Sequence, residues 1–155
     1  MDDRGVTGTV LHEYLIVKLV HIVSATLLFG TGLGTAFFMW RAYRRDELQV
    51  FAATSQDVVL ADACFTLPAV ITQLATGIWL TDYLGIPLHS LWFKTTISMF
   101  GGVGICWLPV VWIQIRLGRD PAYRARLMRI WLALGIPAFV LTLGLFAMMV
   151  LKPGL

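Results

Sequence analysis

Charge is what this sequence has least of. Of its 155 residues, 12 are Lys or Arg and 9 are Asp or Glu, together 14%, against roughly 25% in soluble domains. A compact domain of this length has more surface than so few charges can cover, which excludes a soluble globular enzyme. A disordered tail is excluded by the opposite excess, because 58% of the chain is apolar or aromatic. Cysteine is scarce too. Cys64 and Cys106 each sit inside an apolar run, far from any C-x-x-C spacing, so neither a disulfide nor a zinc framework is indicated. Linkers, low-complexity tracts and internal repeats are missing. The formal charge of +3 does not point to nucleic acid. Only Lys18, Asp62 and Lys94 fall inside apolar segments, and arginines bordering such segments set topology and meet lipid headgroups before they bind polynucleotides.

What is present is four long apolar runs: Tyr14 to Trp40, Val58 to Thr81, Leu91 to Ile115 and Ile130 to Leu151. Each exceeds the roughly 20 residues a helix needs to cross the hydrocarbon core. Backbone polar groups there must be satisfied internally, which selects helices over open strands. The connections, 41–57, 82–90 and 116–129, are short, and short links imply an all-α, up-down-up-down transmembrane four-helix bundle. Residues 1–155 read as a single integral membrane domain. Pro68, Pro109 and Pro137 lie inside spans, where kinks are tolerated.

Arginine placement predicts the orientation. Arg41, Arg44 and Arg45 occupy the first loop, and Arg116, Arg119, Arg124, Arg126 and Arg129 the third. The second loop has neither Lys nor Arg, and the tails add only Arg4 and Lys152. The first and third loops are therefore expected in the cytoplasm and both termini outside. Trp40, Trp112 and Trp131 then mark the inner boundary, Trp79 and Trp92 the outer one. A cleaved signal peptide is not expected, since the start, MDDRG, is acidic and the first run is too long.

An ionisable residue inside a span costs several kcal/mol unless it is paired, ligated or hydrated, so each is a candidate functional residue. At 1.5 Å per residue, His21 lies about 10 Å below the outer boundary and Lys94 about 9 Å below it. Helical phase groups His21 with Tyr14, Lys18, Ala25, Leu28, Gly32, Thr35 and Met39, and Lys94 with Ser90, Ser98, Gly101, Ile105 and Leu108. Asp62, Thr66, Ala69, Gln73, Thr76 and Leu80 align on the second span. Trp131, Gly135, Ala138, Thr142 and Met149 align on the fourth. All four helices are thus expected to turn a polar or small face to a common interior.

An inward His among small residues suits a b-type haem held between membrane helices, with the imidazole as axial ligand. The expected cofactor-binding set is His21, Lys94, Lys18, Ala25, Gly32, Ser98, Gly101, Gln73 and Thr76, with His21 on the metal. His89 falls about 140° from the Lys94 face, which leaves the sixth position to Lys94, Met148, Met149, His89 or nothing. The competing reading is that His21 and Lys94 hydrogen-bond to Gln73, Thr76 or Tyr14 and fix the packing. Lesser expectations follow. Gly30 and Gly34 form a G-x-x-x-G pattern consistent with close helix contact or a homodimer. Asp62 pairs with Arg41 or Arg116, or takes up a proton. Cys64 and Cys106 pack as apolar residues, and Gln114 is interfacial.

Several stretches resemble a bacterial family of four-helix integral membrane proteins whose name carries no activity. They are Val17-Lys18-Leu19-Val20-His21, the run from Leu28 to Phe38, Asp62…Phe65-Thr66…Pro68-Ala69…Gln73…Thr76-Gly77, and the run from Cys106 to Gln114. A more distant resemblance is to the haem-containing bacterial protoporphyrinogen IX oxidases and to the membrane domain of copper-resistance protein D. Lys18…His21 matches the Lys-x-x-His of the oxidases. Trp92 and Lys94 match their Trp-x-x-Lys loosely, and a glycine run replaces the arginine after the first histidine. The resemblance implies His21 as a haem ligand and Lys94 as a partner at the tetrapyrrole. The expected function is a haem b protein with a redox or electron-transfer role near the outer face of the bacterial cytoplasmic membrane, its partner a quinone, a porphyrinogen or a small oxidant. The alternatives are copper or small-solute handling through His12, His89, Met148 and Met149, and a non-catalytic subunit of a membrane complex.

Overall fold

A computed structural model describes residues 3–153, with side chains from Leu11 onward; Met1 and Asp2 of the acidic start lie outside it. The described chain is helical almost throughout. It contains α1 (Asp3–Arg45), α2 (Leu48–Ala61), a π turn (Asp62–Thr66), α3 (Leu67–Tyr83), α4 (Leu91–Arg119), a 3-10 turn (Pro121–Tyr123) and α5 (Arg124–Leu151). Four stretches are long and apolar enough to cross a membrane: Leu11–Arg45, Leu48–Tyr83, Leu91–Arg119 and Pro121–Leu151. The second is α2, the π turn and α3 in continuous succession.

The helices run past the apolar boundaries expected from sequence. In place of a loop over 41–57, α1 continues through Arg44 and Arg45, whose charges favour a helix C-terminus. Asp46 then takes a left-handed backbone, φ 61°, as a chain-reversing residue after a helix commonly does. Glu47 is extended, and α2 begins at Leu48. The polar stretch is helical because Phe51, Ser55 and Val58 recur at helical spacing and are buried. The third connection also shortens. α4 reaches Arg119, the Asp120 side chain accepts from the Ala122 backbone N–H at 3.1 Å, and α5 starts at Arg124. Arg124 pairs with Asp46, tying these two connections together. The second connection matches expectation: Gly85 turns with φ 63°, and the Ser90 hydroxyl caps α4 by accepting from Phe93 N–H at 3.2 Å.

Pro68 explains the π turn. It has no N–H to give the carbonyl of Cys64, and its ring crowds that carbonyl, so the helix widens over the preceding residues. α4 and α5 continue through Pro109 and Pro137.

Packing is uneven along the bundle. At the arginine-bearing end, Met39 and Ala42 of α1, Phe51 of α2, Val110, Ile113 and Leu117 of α4, and Met128 and Trp131 of α5 form one buried cluster. Toward the other end the spans pair, α1 with α3 and α4 with α5. The pairs meet through Phe29, whose ring lies 5.4 Å from Phe139 and 5.6 Å from Phe146. Most remaining large apolar side chains face outward, as expected where the surrounding solvent is lipid.

Candidate functional site

Two polar clusters, one half-buried and one buried, lie on one face of the second span. Asp62, Thr66 and Ala69 are buried and Gln73, Thr76 and Leu80 half-buried, while Ala63, Cys64, Phe65, Leu67, Pro68, Ile71, Leu74 and Ala75 are exposed. This is the stripe that helical phase placed inward.

The first cluster joins α1 to α3. His21 Nδ1 lies 2.8 Å from Thr76 Oγ1, and the Gln73 amide nitrogen lies 2.9 Å from His21 Nε2. Ser24 Oγ is 2.5 Å from Gln73 Oε1 and 2.9 Å from the His21 carbonyl. An amide N–H only donates, so His21 Nε2 accepts and Nδ1 carries the hydrogen, which it gives to Thr76. Thr76 in turn donates to the Thr72 carbonyl at 2.6 Å. The ring packs against Gly77, where an added Cβ would sit 3.3 Å from His21 Cε1.

The second cluster lies at the π turn. Asp62 is 5% exposed and accepts from the Thr66 hydroxyl at 2.7 Å, with the Trp107 side chain as a further hydrogen-bond partner. The Gln114 amide lies between Asp62 and Trp131. Because an indole N–H can only donate, Gln114 Oε1 accepts from Trp131 Nε1 at 3.2 Å and its nitrogen donates to Asp62 Oδ2 at 3.1 Å. The π turn, α4 and α5 are thus joined through one amide, that of Gln114. A cleft of about 250 Å³ at the arginine-bearing end is lined by Gln56, Val59, Gln114, Ile115, Gly118 and Arg119. Gln56 crosses it to donate to the Gly118 carbonyl at 3.0 Å.

The expected cofactor set does not converge. His21, Gln73 and Thr76 meet, with Ala25 half-buried on the same helix as His21. Lys94, Ser98 and Gly101 are exposed, and so are Ile105 and Leu108 on the same face. That face of α4 is outward, a correction to the expected common interior. α4 instead turns Trp92, Val110, Ile113, Gln114 and Leu117 inward, and Trp92 Nε1 donates to the Met148 carbonyl of α5 at 2.8 Å. Lys18 is exposed and stands over the Tyr14 ring at 5.5 Å. Gly32 is exposed with open space beside it.

Both imidazole nitrogens of His21 are hydrogen-bonded within the α1–α3 contact, the ring is backed by Gly77, and the α4 face bearing Lys94 points away. Among the described residues no group of three or more His, Cys, Asp or Glu is placed to hold a metal ion. His12 and His89 are exposed, whereas Met148 and Met149 are half-buried.

Other expectations are corrected. Asp62 bonds to Thr66 and Gln114, and the one ion pair among the described residues joins Arg124 to Asp46. Arg116 stacks over Trp112 and Tyr123, at 5.5 and 5.4 Å. Gln114, expected at the interface, is 2% exposed. Cys64 is exposed on the π turn and Cys106 half-buried. Gly30 and Gly34 have open space around them, so the pattern serves no contact within the chain. Sequence reasoning passed over Ser24, Gln114 as a buried linker, and Trp131 as a hydrogen-bond donor. One signal pointed to the last two: Gln114 and Trp131 lie at matching depth on neighbouring spans.

A family model described as predicted integral membrane protein (DUF2269) matches residues 15–153. No curated protein and no solved structure matches the chain.

Proposed function

Since the chain belongs to the DUF2269 family of predicted integral membrane proteins, we propose that it handles protons inside the bilayer, along the polar face of its second span. The observation that carries this reading is the bonding around His21, which accommodates either protonation state without orphaning a partner. In the neutral ring, Gln73 donates to Nε2 and accepts from Ser24. When Nε2 takes a proton, rotation of the Gln73 amide turns its oxygen to Nε2 and its nitrogen to Ser24, whose hydrogen moves to the His21 carbonyl. Thr76 accepts from Nδ1 in both states. An intramembrane His with this adaptability is suited to a proton relay.

The arginine-rich connections favour a cytoplasmic position, in a bacterial cytoplasmic membrane with both termini outside. Asp62 then lies toward the cytoplasm and His21 toward the exterior, 11 residues or about 16 Å separating Asp62 from Gln73 along the helix. The test is proton flux in proteoliposomes under an imposed potassium diffusion potential. Flux above that of empty vesicles, lost in Gln73→Leu and His21→Phe, is expected. Flux equal to empty vesicles ends the proposal.

A haem b redox role, with a quinone, porphyrinogen or small oxidant as partner, has one observation in its favour. Thr76 holds the Nδ1 hydrogen and so leaves Nε2 with the lone pair, the usual arrangement in a ligating histidine. Gln73 occupies that lone pair. A haem difference spectrum in purified protein, absent from His21→Ala, would displace the relay and make Nε2 a ligand.

A further inference from the structure

We propose that Asp62 is the proton-loading site of this protein, filled from the arginine-bearing end through the cleft between α2 and α4. The inference rests on the relay reading and gives it a point of uptake. A carboxyl that is 5% exposed at membrane depth is expensive unless a cation or proton accompanies it. Its hydrogen-bond partners are all neutral: Thr66 on its own turn, and Gln114 and Trp107 on α4. Apart from Arg119, the cleft beside it is lined by neutral residues, Gln56 and Val59 of α2 and Gln114, Ile115 and Gly118 of α4. Arg119 stands on the cleft wall, and Arg116 is stacked on Trp112 and Tyr123.

The hydrogen bonds also decide which oxygen receives the proton. Trp131 locks the Gln114 amide with its nitrogen toward Oδ2, so that oxygen stays an acceptor. Thr66, being a hydroxyl, can turn from donor to acceptor, and Oδ1 can then carry the hydrogen and donate it to Thr66 Oγ1. A hydronium ion entering the cleft, which reaches Gln114, gives up one O–H bond to leave water, and the carboxylate gains that proton to become a neutral acid. No other bond forms or breaks. The π turn carries this carboxyl, with Asp62 at its start and Thr66 at its end both buried.

Dicyclohexylcarbodiimide tests this in the whole protein, because it adds to a carboxylic acid only when protonated and buried in apolar surroundings, leaving an N-acylurea. Reacted vesicles are digested and mapped by mass spectrometry across a pH series. The expected result is modification at Asp62, falling about tenfold per pH unit above its midpoint. Labelling is lost in Asp62→Asn, kept in Asp62→Glu and unchanged in His21→Phe. Asp62 left unmodified at every pH, or modified equally across the series, overturns the proposal. Val59→Trp, which fills the cleft, is expected to slow proton flux at least several-fold while leaving equilibrium labelling intact; unchanged flux overturns the cleft as the route. Labelling without flux in wild type would retain Asp62 as a protonation site and refute the relay, so the two failures are separable.

Discussion

Replacing Gln114 by Leu keeps the side-chain bulk and removes two hydrogen bonds at once. It leaves Trp131 Nε1 without its acceptor and Asp62 Oδ2 without a donor, in residues each about 5% exposed. In a water-soluble core, two orphaned buried groups cost about 1–3 kcal/mol each. Hydrogen bonds between membrane helices average only about 0.6 kcal/mol and reach about 1.7, because the separated helices find other partners. Gln114 connects the π turn, α4 and α5, and Asp62 retains Thr66 and Trp107. The expected loss is therefore about 1–3 kcal/mol, a factor of roughly 5–150 in the unfolding equilibrium. Reversible unfolding in mixed micelles measures it. The pair with Trp131→Phe sharpens the test: once Trp131 has lost its N–H, removing Gln114 costs less, so the double variant falls short of the sum by about 0.5 kcal/mol or more. A Gln114→Leu loss below about 0.5 kcal/mol, or strict additivity with Trp131→Phe, would refute the buried bridge.

Other consequences can be checked in the same preparation. Gly77→Val drives a branched side chain into the His21 ring, whose Cε1 stands 3.3 Å from where even a lone Cβ would sit; it is expected to lower stability by about 1–3 kcal/mol and to abolish flux. Gly32→Ala and Gly101→Ala, which meet open space, should stay within about 0.5 kcal/mol of wild type. Lys94→Gln should leave flux unchanged, because the side chain is exposed on the outward face of α4; loss of flux would mean that α4 presents that face to the working interior. Asp46→Asn should cost under about 1 kcal/mol and less still at high salt, since its ion pair with Arg124 lies at the surface.

The spans, their number and the inward stripe of the second are legible in the amino-acid order alone. Runs such as Ile130 to Leu151 are too long and too apolar for any other use. The stripe is spelled out as well, because Asp62, Thr66, Gln73 and Thr76 are polar where most of their neighbours are not, and polar groups avoid lipid. Helix ends are less legible: 41–57 is polar enough to look like a loop, yet Phe51, Ser55 and Val58 bury a helical face that begins there.

The rotation of α4 was decided only by tertiary structure. Lipid tails are as apolar as leucine, so no hydrophobic force tells an inward face from an outward one. Ile105 and Leu108 can face lipid without penalty, and the helix turns to satisfy Trp92 and Gln114 instead. That rotation carries Lys94 outward with them, whereas the bonding of His21 to Gln73 and Thr76 is what the packing reading of the sequence expected. For α4, hydrogen-bond partners on other helices, which its own spacing does not encode, set the phase.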